Sequence, residues 1–261
     1  MIMNYLTYAR EEREYHSRFA RYNRRKKAFL KWYFKLYHRL EVRGLDNIPE
    51  GPALIVPNHS GGFDLDIMAI MFFAHPSREI SVLIAREWHF IESTWGRYFV
   101  GGGIPLRLRG GIQYDYIDPW LVKGGARFPG LVCIFPEGGS GTVWNRGKLK
   151  PFYPGVVRLA LRYQVPIVPV AMIGFDLASP IVMEIARDHR TPDVVMPPFT
   201  LPVKTRIEFG RPFELESLYG RELGRKDEFR IANEIVRPRV AEVIHRHRAV
   251  SLVPWDGGQS R

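Results

Sequence analysis

The sequence predicts an α/β fold: a largely parallel central sheet flanked by helices, preceded by a basic, amphipathic helical segment. Three observations carry this expectation. Apolar runs of strand length recur at Ala53–Pro57, Ile80–Ala85, Leu131–Phe135, Ile167–Met172 and Thr205–Phe209. Segments with helical spacing, Leu65–Phe73 and Val156–Arg162, lie between several of them, and strands alternating with helices point to a parallel sheet. Residues 4–40 contain neither Pro nor Gly and are rich in Arg, Lys, Glu, Leu, Phe and Tyr, which reads as one or two helices.

The remaining elements follow in order. Residues 41–50 read as a short strand and turn leading into the core. Residues 177–203 are Pro-rich and carry no assignment. Lys226–Arg248 places Phe229, Ala232, Val236, Val240 and Val243 at helical spacing, with a kink expected at Pro238. The last dozen residues read as loose tail. No internal repeat or low-complexity tract is present.

The 261 residues, 46% of them apolar, suffice for one large domain with a proper core. A charged fraction of 25% argues against wholesale disorder. The single cysteine, Cys133, excludes a disulfide framework within the chain, which fits a reducing compartment. No continuous apolar leader and no run of about 18 apolar residues is visible, so neither a signal peptide nor a transmembrane helix is expected.

The formal net charge of +11 is unevenly placed: residues 10–39 hold eleven Lys and Arg against three Glu. Such a block suits anionic headgroups or nucleic-acid phosphates. Near an anionic leaflet each basic residue contributes roughly 1 kcal/mol. The aromatic run Phe29-Leu30-Lys31-Trp32-Tyr33-Phe34-Lys35-Leu36-Tyr37 favours the water–lipid boundary, where cationic side chains snorkel beside aromatic bodies. No nucleic-acid module is recognisable, so the lipid reading is preferred over nucleic acid.

Two clusters carry chemistry. Pro57-Asn58-His59-Ser60-Gly61-Gly62-Phe63-Asp64 follows an apolar strand and precedes a helical run, so His59 is delivered to the sheet edge where α/β sites form. On a continuous helix His59 and Asp64 would stand roughly 140° apart. A turn at Gly61-Gly62 lets them meet, with Asp64 orienting the imidazole as in a Ser-His-Asp triad that lacks its serine. The bland alternative is a strand-end histidine with Asp64 capping the next helix. The second cluster is Phe135-Pro136-Glu137-Gly138-Gly139-Ser140-Gly141, a carboxylate in a Gly-rich turn at a strand end. Its Gly N–H groups suit a phosphate or an oxyanion.

On these residues the chain resembles the glycerolipid acyltransferases typified by 1-acylglycerol-3-phosphate acyltransferase. The resemblance spans roughly residues 41–175 and rests on four ordered blocks. These are Asn58-His59 through Asp64, Gly103-Ile104-Pro105-Leu106-Arg107, Phe135-Pro136-Glu137-Gly138, and Val165-Pro166-Ile167-Val168-Pro169-Val170. It implies that His59 is the general base on an acceptor hydroxyl and that Asp64 holds it. It also implies that the hydroxyl attacks the thioester of acyl-CoA or an acyl carrier protein, with no covalent enzyme intermediate, no metal and no cofactor. Glu137 would bind the acceptor, with Gly138, Asn58, Phe135 and Pro136 around it, and Arg107 or Arg109 would face an acceptor phosphate. Asp66 is a rival partner for His59, but it is off the family spacing.

The resemblance further implies residues 1–40 as the membrane-association segment and 41–215 as the acyltransferase domain. Residues 216–261 follow as a C-terminal helix and tail of that same domain. The expected location is peripheral, on the cytoplasmic side of a membrane. The chain departs from the pattern in two places. Phosphate-acceptor enzymes of the family continue Thr-Arg-Ser where this chain reads Gly139-Ser140-Gly141, and their Phe-Lys pair is Phe152-Tyr153 here. Two cationic phosphate contacts are thereby missing, each worth roughly 1.5–3 kcal/mol, unless Arg146, Lys148 or Lys150 substitutes. The acceptor expectations are therefore 1-acylglycerol-3-phosphate, or a non-phosphate lipid alcohol or other lysolipid or glycolipid. A non-catalytic lipid-binding member is the reading from another class. His75, His89 and His189 lack metal-ligand spacing, His245 and His247 suit a helix C-terminus, and Cys133 reads as buried filler. Gly101–Gly103 and Gly124-Gly125 do not continue as phosphate loops.

Overall fold

The computed structural model describes residues 27–84, 103–106, 112, 114–185 and 193–255. Strands β1 (Glu41–Arg43), β2 (Ala53–Pro57), β3 (Ile80–Ile84), β4 (Ile104–Pro105), β5 (Leu131–Cys133), β7 (Ile167–Ile173) and β10 (Arg206–Phe209) form one seven-stranded sheet. Its order is β1-β10-β7-β2-β5-β3-β4. From β7 to β4 all pairs are parallel, whereas β10 runs antiparallel to β7 and carries β1 parallel beside it. The sheet is thus mixed and mostly parallel, as the alternation of strands and helices implies.

Burial explains the apolar runs. Every residue of β2 is buried. Ala53 and Ile55 join one core cluster and Leu54 and Val56 the other, because successive side chains leave a strand on opposite faces. Helix α1 (Leu65–Phe73) packs on the first face. Helix α3 (Gly155–Tyr163), which follows the short α2 (Asp118–Leu121), packs on the second face. So do α5 (Arg225–Ile231) and α6 (Arg237–His245), which follow the short α4 (Phe175–Ala178). A strand covered on both faces has no polar side to show, hence its unbroken apolar run.

Several expectations are refined. The irregularity in the C-terminal helix is a π-helical turn, Ala232–Val236, and Pro238 sits in the first turn of α6. Because residues 225–245 form one unbroken helical run, the proline gives no N–H to the preceding turn, and the widened π-turn lies directly before it. The tail is not wholly loose: β11 (Ser251–Leu252) pairs in parallel with β6 (Lys148–Leu149). The unassigned Pro-rich stretch contains a hairpin of β8 (Met183–Ile185) and β9 (Asp193–Val195). Of the basic N-terminal segment, residues 27–32 are α-helical and run into a π-turn, Tyr33–Tyr37. Its earlier part lies outside the described residues. Leu30 and Phe34 anchor this helix in the same core cluster as α1.

Candidate active site

The C-terminal ends of β2, β5 and β7 lie on one edge of the sheet, and the chain turns there into three loops. Asn58 fixes the first exit. Its Oδ1 accepts the Met172 N–H (2.8 Å) and its Nδ2 donates to the Met172 carbonyl (3.2 Å). The side chain thus mimics one more rung of the β2–β7 ladder. Asn58 is therefore a buried clamp between the β2 and β7 ends.

His59 comes next. Its Nδ1 donates to Asp66 Oδ2 at 2.7 Å. That carboxylate is fully buried, and Oδ2 also accepts the Ser60 N–H (2.9 Å) while Oδ1 accepts the Ile67 N–H (2.9 Å). The expected partner was Asp64, and the hydrogen bond to the ring belongs to Asp66 instead. Local backbone is the cause. Gly61 (φ 89°), Phe63 (φ 54°) and Asp64 (φ 50°) all take left-handed conformations. The turn therefore runs through Asp64, which becomes the residue before the helix, and Asp66 falls in the first turn of α1. A carboxylate there is favoured by the helix dipole. Two left-handed non-glycine residues cost of order 1–3 kcal/mol each, and such strain gathers at functional sites. Gly61 is required for a second reason: a Cβ on it would lie 2.4 Å from the Phe175 carbonyl oxygen. The loop is docked onto α4 there, with the Gly62 N–H donating to Ser179 O at 2.8 Å.

The imidazole is shielded, with only 13% of its side chain exposed, and the Phe135 ring stands 4.6 Å from it, centroid to centroid. Burial, the largest single influence, pulls the His59 pKa down, and the charge and hydrogen bond of Asp66 oppose it. With the further charges of Asp64 and Glu137, the net result is a pKa above the ordinary histidine value. Because Nδ1 holds its proton against a buried carboxylate, the lone pair of the neutral ring is on Nε2.

Glu137 makes its hydrogen bonds to backbone N–H groups. Its Oε1 accepts the His59 N–H (2.8 Å) and its Oε2 accepts the Lys150 N–H (2.9 Å), in a setting 8% exposed. Burial raises its pKa, and the two backbone N–H groups, with the charges of His59 and Lys150, offset part of that. The carboxylate is a brace that ties the loop after β5 to the loop after β2. Gly138 (φ 73°) turns beside it under the Tyr153 ring, and Pro136 accepts the Tyr153 N–H through its carbonyl. Arg107 and Arg109 lie outside the described residues.

Sequence reasoning passed over Ser140, whose Oγ lies 3.0 Å from Nδ1 and 3.4 Å from Nε2 of His59. Of the cations offered as substitutes, Arg146 donates to buried Asp176 (2.9 Å), which Arg248 also contacts. Lys150 Nζ donates to the Ser140 carbonyl (3.1 Å) and to Glu184 (3.4 Å). Lys148 is exposed on β6. Cys133 is buried mid-strand, and burial, then the charge of Asp66, pushes its thiol well up, as suits a packing residue. Among the described residues no group of three or more His, Cys, Asp or Glu is arranged to hold a metal.

Comparison with known proteins identifies the family and the fold. Residues 39–173 match the family described as Acyltransferase. An uncharacterized protein of Mycobacterium tuberculosis is 29% identical over 207 residues, covering 71% of this chain and 55% of that protein. The 1-acyl-sn-glycerol-3-phosphate acyltransferase of Pseudomonas aeruginosa is 30% identical over 51% of this chain and 49% of its own length. The human alpha enzyme of the same name is 31% identical over 53% and 47%. The chain thus spans about half the length of the curated relatives it matches. The crystal structure of the 1-acyl-sn-glycerophosphate acyltransferase PlsC from Thermotoga maritima shares the fold. Its TM-score is 0.52 at 20% identity, covering 87% of this chain and 81% of that one.

Proposed function

Because the chain belongs to the acyltransferase family, we propose that it moves a fatty acyl group from a thioester, acyl-CoA or acyl carrier protein, to a hydroxyl of a lipid acceptor. The observation that carries this reading is the buried Asp66 carboxylate on Nδ1 of His59, which leaves Nε2 as the basic atom at the sheet edge. The acceptor O–H gives its proton to Nε2 as its oxygen attacks the thioester carbonyl. The carbon–sulfur bond then breaks, and the departing thiolate takes the proton back from His59. Asp66 holds the ring in the required tautomer and stabilises the imidazolium that forms between these steps. Glu137 positions both loops through backbone N–H groups, and no covalent bond to the enzyme is needed.

A lipid acceptor is reached at a membrane, and one surface of the chain suits a bilayer. Phe29, Trp32 and Leu36 on the N-terminal helix and Phe199 on the loop before β10 are exposed. Tyr33 and Tyr37 join these two elements through the hydroxyl and carbonyl of Thr200. Lys31 and Lys35 stand on the same helix, so the chain presents aromatic bodies with cationic neighbours, a combination that seats peripherally on anionic lipid. No helix among the described residues is long and apolar enough to cross a membrane.

The test is a transfer assay with purified protein, phosphatidylglycerol-containing vesicles, palmitoyl-CoA or palmitoyl-acyl carrier protein, and lysolipid or monoacylglycerol acceptors. Free thiol is expected to appear one for one with a new lipid ester. Thiol release without ester, or no turnover with either donor, would remove the reading.

A further inference from the structure

The loop between β5 and β6 is clamped around Ser140. On one side the Ser140 carbonyl accepts from Lys150 Nζ, and on the other Gly141 forms a parallel β-bridge with Ser60, the residue after His59. These two ties hold the Ser140 hydroxyl 3.0 and 3.4 Å from the two ring nitrogens of His59. The hydroxyl is slightly nearer Nδ1, but Nδ1 is committed to Asp66, so an acceptor oxygen that arrives at Nε2 to lose its proton comes within reach of the Ser140 hydroxyl. A serine hydroxyl both donates and accepts, so it can hold an alcohol in line with the imidazole.

Among the described residues, the charges around this hydroxyl favour an uncharged group over a phosphate. Asp64, Asp66 and Glu137 all place negative charge toward the His59 ring. Among the described cations beside the loop, Arg146 and Arg248 share the Asp176 carboxylate, and Lys150 is engaged by Glu184 and the Ser140 carbonyl. Bringing a phosphate monoester here means paying for like-charge repulsion or breaking these pairs. An uncharged hydroxyl meets neither cost.

We propose that Ser140 is a specificity-determining residue that hydrogen-bonds the acceptor alcohol beside His59 and selects an uncharged lipid alcohol over a lysolipid phosphate monoester. The inference rests on the acyl-transfer reading and narrows its acceptor. In the reaction the acceptor oxygen forms the new ester bond while held by Ser140, its proton passes through Nε2 to the departing thiolate, and Ser140 itself is unchanged.

The experiment compares kcat/KM for 1-acylglycerol and for 1-acylglycerol-3-phosphate, with one thioester donor, in the wild-type chain and in Ser140→Ala and Ser140→Arg. The wild-type chain is expected to favour 1-acylglycerol by about tenfold or more, the factor set by ~1.4 kcal/mol. Ser140→Ala should lower kcat/KM for the neutral acceptor about tenfold while folding normally, since the side chain is only half-buried. Ser140→Arg should narrow or invert the preference. A wild-type preference for the phosphate acceptor would overturn the proposal, as would variants that leave both the rates and their ratio unchanged. Either result leaves the acyl-transfer reading standing. Absence of transfer to every acceptor removes that reading together with the inference.

Discussion

His59→Ala is expected to lower kcat for acyl transfer by about three to four orders of magnitude, the upper range for losing a positioned general base. The argument is geometric. Among the described residues at the sheet edge, His59 has a basic nitrogen that is neither hydrogen-bonded to a carboxylate nor part of the backbone, and Asp66 leaves it the correct tautomer. The substitution also strips the ring from a buried carboxylate, so folding must be separated from catalysis. Asp66 keeps the Ser60 and Ile67 N–H groups, which limits that cost. His59→Gln, which can still donate to Asp66, should fold as the wild-type chain does and be as inactive as the alanine variant. Added imidazole should restore part of the rate to His59→Ala. Either variant retaining more than about a tenth of the wild-type kcat would contradict a base role, given the size of the effect expected.

The second large effect separates two aspartates two residues apart. Asp66→Asn should lower kcat by about two to four orders of magnitude, whereas Asp64→Asn should cost less than about tenfold. Asparagine at 66 has one carbonyl oxygen for the Ser60 N–H, the Ile67 N–H and the His59 Nδ1–H together. Its amide NH2 turned toward the ring favours the tautomer with the proton on Nε2, where it blocks the acceptor. Asp64 acts on His59 through charge, without the hydrogen bond that Asp66 makes. Steady-state kcat for the two variants, alongside their melting curves, checks this. Equal losses, or a larger loss at position 64, would return the role to the spacing read from sequence.

Much of the fold was legible because the sheet is covered on both faces. Ala53–Pro57 and Ile167–Ile173 are almost wholly buried, and such strands announce themselves as apolar runs. The antiparallel placement of β10 was not legible, because pairing direction depends on the connection and not on a strand's own residues. Short elements such as β6, β8, β9 and β11 offer too few residues to show a period. At the site, His59 and the turn containing Glu137 were found from strand-end position and Gly spacing. The partner of His59 was misassigned because the reading ended the turn at Gly62, whereas Phe63 and Asp64 continue it in left-handed conformations that non-glycine residues seldom take. One signal pointed to the right residue. Asp66 is the only charge in Leu65–Phe73, an otherwise apolar helix, and a buried carboxylate demands a partner. Glu137 reads from sequence as an acceptor-binding group, whereas its hydrogen bonds run to the His59 and Lys150 N–H groups, and side-chain spacing does not carry which backbone groups surround it. Ser140 reaches His59 only through the clamp formed by Lys150 and the Ser60–Gly141 bridge, a contact between residues far apart in sequence.

The measurement that tests the His59–Asp66 pair most directly is the pH dependence of kcat for the wild-type chain and Asp66→Asn. A general base works only when unprotonated, so the rate should climb as pH rises through the His59 pKa. In the wild-type chain that limb should lie above the ordinary histidine range, because the carboxylates around the ring outweigh its burial. In Asp66→Asn the residual activity should rise at lower pH, because burial is then opposed by less negative charge. A limb that stays in place when Asp66 is replaced, or a rate that falls across the same window, would contradict the assignment of His59 as the base and Asp66 as the group that tunes it.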